Sequence, residues 1–214
     1  MARLILLLGL CFLGAQHAFC QTETIQPRGV YATIDTRPAL LMIQRLVSTS
    51  PEEQDAAIRE ALDRPSDQIP PVLYALANVL SREPGRAYEA IFWYHVGRIR
   101  AVYDSLRCRD KTARQAVTAL GRGLSKELRQ FQNDDPQRAL AAARRAIEWD
   151  SNNPRHYDHR WIALHGFQAQ SSPGTDLNAL TFPEKEWLDI LRYVHETHLK
   201  SVQDFVEAKE KKKK

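Results

Sequence analysis

Between residues 37 and 205 the apolar positions recur at steps of three and four, with almost no strand-like alternation. Arg37 to Val47 reads as a first short helix. Ser50-Pro51-Glu52-Glu53 has the form of a capping box with proline at the first helical position, so a second helix runs to about Leu62. Pro70-Pro71 opens a third through Leu73, Leu76, Ala77 and Leu80, and Glu83-Pro84-Gly85 breaks it. A fourth begins at Ala87. Asp110 is set to cap a fifth, running through Ala113, Val117, Leu120, Leu124 and Leu128. Asp134-Asp135-Pro136 ends that helix and begins a sixth, to Trp149. Asn152-Asn153-Pro154 starts a seventh, to about Phe167. The stretch 169–180 is rich in Ser, Pro, Gly, Asp and Asn and reads as a loop. Thr181-Phe182-Pro183-Glu184 then begins a long last helix through Trp187, Leu191, Val194, His198, Val202 and Phe205. Gly29 to Asp35 is the one strand-like run. It has no partner and reads as extended coil.

The pattern predicts an all-α fold of antiparallel helical hairpins, because short links between helices make neighbours antiparallel. Four segments follow: 1–20, an extended segment 21–35, one helical domain 36–208, and a disordered lysine-rich tail 209–214.

The fourth helix carries the densest cluster of large side chains. Tyr88, Phe92, Val96, Ile99, Tyr103 and Leu106 form one continuous stripe, widened by Ile91, His95 and Val102, and that stripe faces a core. Burying each large apolar side chain is worth roughly 1.5–3 kcal/mol, so the stripe dictates how the helix is turned. Trp93, Arg100 and Arg107 fall on the opposite side at steps of seven. Tryptophan beside arginine is the usual chemistry of interface anchors. These three, extended by Arg114, are the candidate partner-binding residues.

Two segments resemble known helical repeats. PQRALAAARRAIEWDSNNPRHYDHRWIALHG, 136–166, resembles a tetratricopeptide unit boundary: Ala139, Ala143 and Ala146 match the small residues of a second helix. Asp150 and Asn153-Pro154 match its end, and Tyr157 with Trp161 the start of the next unit. REPGRAYEAIFWYHVGRIRA, 82–101, is similar to the Glu-Ala-x-x-Trp-Tyr segment of Sel-like repeats through Glu89-Ala90 and Trp93-Tyr94. The resemblance implies paired helices, protein binding and no catalytic residues. No clean period of ~34 residues runs through the chain, so a right-handed stack and an irregular bundle both remain open. Exported proteins of this type include periplasmic partners that neutralise secreted antibacterial effectors, and the resemblance extends to such an immunity role.

Charge and the chain ends bear on location. One basic residue, Arg3, precedes an apolar run from Leu4 to about Ala15 and then small or polar residues. That is the order of a secretory signal, with cleavage after Ala18 or Cys20. The run is shorter than the roughly 20 residues a membrane span needs. The alternative is a lipid anchor on Cys20, but His17-Ala18-Phe19 is not the usual approach to an acylated cysteine. The expected location is therefore the periplasm or the medium. A chain trimmed this way keeps Cys108 alone and forms no internal disulfide. The lysine-rich end carries the whole formal charge of +4. Nucleic acid is not an expected partner for an exported chain.

From Arg98 to Arg145 there are twelve basic residues against five acidic ones, a central excess of positive charge. Part pairs within the fourth helix, Arg100 with Asp104 and Asp104 with Arg107. The rest either meets the acidic last helix (Glu184, Glu186, Asp189, Glu196) or forms a basic surface for an acidic protein. The histidines open a different class of function. His156 and His159, and His195 and His198, are both His-x-x-His, a spacing at which two imidazoles on a helix share a metal. If all four met, the chain would be a metal-binding protein or metalloenzyme; the metalloprotease spacing His-Glu-x-x-His is absent. No nucleophile elbow or phosphate-binding loop occurs, and the carboxylate pairs sit where helices begin, which capping explains. The leading reading is a non-catalytic exported protein binder without a cofactor; a structural adaptor of an envelope complex is the third.

Overall fold

The computed structural model describes residues 27–171, 176 and 180–212; the expected export signal lies outside them. Within that range the fold is all-α. Helix α1 spans Arg37–Leu46, α2 Pro51–Asp63, α3 Pro70–Leu80 and α4 Ala87–Arg107. Then come α5 (Gln115–Arg122), α6 (Lys126–Asp134), α7 (Pro136–Asn152), the short α8 (Phe167–Ser171) and α9 (Trp187–Lys211). Gly29–Thr33 is a turn of 3-10 helix, not the expected extended coil.

The first four helices begin and end close to where their punctuation places them. Ser50 Oγ accepts from the Glu53 amide at 3.4 Å. The return half of the capping box is missing, because Glu53 takes the Ser48 hydroxyl instead. Gly85 closes the α3–α4 turn at φ +81°, a conformation a Cβ would strain.

Helix α4 is the centre of the molecule. It packs along α3 on one side and along α7 and α9 on the other, while α1 and α2 lie outside α3. Both its predicted stripe and most of its opposite face are therefore buried. Helices α3 and α4 come close at Gly97, where an added Cβ would meet Tyr74 Cδ2 at 3.1 Å and Leu73 Cβ at 3.2 Å.

Three elements differ from the helical pattern. The expected fifth helix is broken into α5 and α6. Ser125 Oγ caps α6 by accepting from the Leu128 amide at 3.1 Å. Asn78 of α3 bridges the break, donating to the Gly123 carbonyl at 2.9 Å and accepting from the Ser125 amide at 2.8 Å. The expected seventh helix is instead a loop, a 3-10 segment His159–His165, and α8. Asp104 of α4 holds this segment in place. Its buried Oδ2 accepts from Tyr157 Oη at 3.0 Å and Trp161 Nε1 at 2.8 Å, which ties both side chains to α4. At the C-terminus α9 continues through Lys211, so the chain is still helical where a disordered tail was expected.

Past the 169–180 stretch the chain is pinned to the end of α4. Arg109 N donates to Leu180 O at 3.0 Å and Phe182 N to Arg107 O at 2.8 Å, around a bridge between Cys108 and Thr181. Cys108 is a free, buried thiol, and burial pushes its pKa up to about 11.

Candidate functional site

The four residues expected to bind a partner do not share a surface. Trp93 is 7% exposed, Arg100 0% and Arg107 4%; only Arg114 faces solvent. Trp93 packs edge-on against Phe92 at 4.8 Å and Trp149 at 5.3 Å between ring centroids. The two arginines are held by two buried carboxylates.

Asp150, near the end of α7, accepts from Arg100 Nε at 2.9 Å, lies 2.9 Å from His195 Nε2, and pairs with Arg155. The Arg100 guanidinium also donates to the Asn153 carbonyl at 3.1 Å and the Pro65 carbonyl at 3.4 Å, and lies over the Trp149 ring. Burial alone would raise the Asp150 pKa. The His195 hydrogen bond and the charges of Arg155 and Arg100 outweigh it and hold the carboxyl below its ordinary range. Asp104 is bound by Arg107 Nη2 at 2.5 Å, with the Arg107 guanidinium against the Tyr103 and Trp187 rings. There complete burial wins, and the Asp104 pKa is raised despite Arg107 and Trp161. A charge removed from water needs such partners, so these arginines have an internal task and the surface inferred from their spacing does not exist.

The pairing of Asp104 with Arg107 follows the sequence; that of Arg100 does not, since it crosses to α7. The acidic last helix does not absorb the basic centre either. Among the described residues no ion pair joins a basic residue of 98–145 to Glu184, Glu186, Asp189 or Glu196, and Asp189 pairs with Arg192 of its own helix.

The four histidines go to different places. His156 Nδ1 lies 3.1 Å from Asp67. The His159 ring stands against Trp187 at 4.9 Å, with burial lowering its pKa to about 4. His195 meets Asp150. His198 Nε2 shares a 3.1 Å hydrogen bond with His95 Nδ1 of α4. Among the described residues no group of three or more His, Cys, Asp or Glu is arranged to hold a metal ion.

A concave feature lies elsewhere. A groove of about 1370 Å³ opens between α1, α3 and α5, with the 3-10 segments before α1 and after α7 at its ends. Ala39, Leu40, Ile43 and Val47 of the α1 region form one wall, Ala75 and Val79 of α3 the floor, and Ala116, Ala119 and Leu120 of α5 the other wall. Leu40 is 56% exposed and Val47 60%, although both are large aliphatic residues. The sequence places these residues in helices but assigns them no face. Their small and aliphatic character reads as core, and no sequence signal marks them as an open surface.

No protein-family model, no curated protein and no solved structure matches the chain.

Proposed function

We propose that the chain is an exported, non-catalytic protein-binding domain, and that its contact surface is the α1–α3–α5 groove. The observation that carries this reading is the apolar groove itself, rimmed by Leu40 and Val47 in water. Large apolar side chains gathered on a concave surface mark binding sites more often than they mark accident. The volume exceeds the roughly 300–1,000 Å³ of small-molecule pockets, which favours a macromolecular partner. The biological role proposed with it is immunity: neutralising a secreted antibacterial effector by occupying one of its surfaces in the periplasm.

The test places a photo-crosslinking amino acid at Ala75, on the groove floor, and in a control at Arg144, an exposed position on α7. The Ala75 position should give one defined protein adduct that Val47→Glu abolishes, and cells producing that partner protein should survive only with the unsubstituted groove. Absence of an adduct, or protection by the Val47→Glu variant, overturns the groove reading. An adduct with a housekeeping envelope protein overturns the immunity role and favours an adaptor.

A further inference from the structure

We infer that the groove takes a single amphipathic helix of a partner protein, about three turns long, with carboxylates flanking its apolar stripe. The inference rests on the groove being the contact surface and adds the shape and charge of what fills it.

Length and shape come from the walls. Helix α1 has ten residues and α3 eleven. At 1.5 Å per residue each offers about 15 Å, three helical turns. Both walls and the floor are helix faces whose backbone hydrogen bonds are already made internally. They leave no strand edge for an extended peptide to extend, so main-chain pairing is not on offer and side-chain packing must supply the contact. A helix bringing residues at i, i+3, i+4 and i+7 into such a groove meets that condition. Leu40, Ile43 and Val47 present matching three- and four-residue steps on the facing wall.

Charge selects the flanks. The segments that wall the groove, Gly29–Thr33, Arg37–Leu46, Pro70–Leu80, Gln115–Arg122 and His159–His165, contain no acidic residue. The one carboxylate in the lining is Asp35, and Arg37 already holds it at 2.8 Å. Arg82 lies in the lining and Arg122 ends α5; both are exposed and, among the described residues, neither has an ion-pair partner. Arg82 therefore brings uncompensated positive charge into the lining, and Arg122 adds a second such charge at the end of the α5 wall, next in sequence to the lining residue Gly123. Glutamates or aspartates beside the stripe of an incoming helix would meet it, while lysines there would be repelled.

The experiment uses a display library of 14-residue helix-forming peptides. Leucine is fixed at one i, i+3, i+4, i+7, i+11 stripe, and the flanking positions carry an equal mixture of glutamate and lysine. Selection on the purified protein should enrich glutamate over lysine. A selected peptide should bind Leu40→Glu at least about tenfold more weakly, as loss of a central apolar contact predicts. The Arg82→Glu/Arg122→Glu variant should invert the flank preference. Lysine enriched equally, selected peptides binding Leu40→Glu unchanged, or no enrichment each overturn the inference. Sedimentation of the same variants identifies one rival: a groove filled by a second copy gives a dimer that Leu40→Glu dissociates and that selects no peptide. An Ala75 adduct with a partner protein whose contacting segment is not a helix overturns this inference while leaving the groove reading intact.

Discussion

Asp150 and Asp104 turn the arginines of α4 into interior residues. Removing one partner of a buried pair strands the other charge, at a cost of about 3–5 kcal/mol, whereas an apolar replacement of both is far better tolerated. Arg100→Ala should therefore lower stability toward that order in urea denaturation, and Asp150→Leu should cost at least as much, because it strands Arg155 as well as Arg100. An Arg100→Ala protein of unchanged stability would contradict the buried assignment. His95 and His198 make a second residue-scale prediction. Burial lowers the His198 pKa to about 4, assisted by the charges of Arg98 and His195. His95, fully enclosed, is lowered well below its ordinary value by burial, then by His198 and Arg98. In the unfolded chain both return to about 6.5, so the folded state favours the neutral form. Their contribution is complete above pH 6.5 and is lost as pH falls through about 4, on the order of 3 kcal/mol for His198. Stability measured from pH 7 to 4 should fall across that window, and His198→Leu should flatten the fall.

At the scale of elements, much was legible because the cues are local. Proline at first turns, Ser50, and Glu83-Pro84-Gly85 act on their own backbone, and helices α1 to α4 lie where these residues put them. The failures share a cause of another kind. The α5–α6 break depends on Asn78, more than forty residues earlier, and the 154–165 segment is held in place by Asp104 through Tyr157 and Trp161. Helical period says nothing about a hydrogen bond from a distant helix. Gly123 and Ser125 have the form of a helix stop and a helix start, but the apolar period continues on both sides of them. The close α3–α4 approach gives the element-scale prediction. Gly97→Val forces side-chain carbon against Tyr74 and Leu73 and should destabilise by about 1–3 kcal/mol, read as a lower Tm. A neutral result would mean the two helices separate freely.

For the whole molecule, periodicity sorted the residues of α4 onto faces but could not count the helices that cover them. One buried face was expected and two exist, because α7 and α9 close over the side that holds Trp93, Arg100 and Arg107. The proposed site lies instead where, among the described residues, no neighbour covers Leu40 and Val47. Substitutions there separate binding from folding: Leu40→Glu should change unfolding free energy by no more than about 0.5 kcal/mol, the usual range for exposed positions. A large loss would show that Leu40 supports the fold and not a partner.

The hydrogen bond between His95 and His198 ties positions 103 residues apart, and Asp150 waits on His195 in the same way. Without α9, His95 loses its His198 partner and Asp150 keeps only Arg100 and Arg155. The packing of α4 and α7 thus depends on α9, and a variant truncated at residue 183 should melt without a sharp transition.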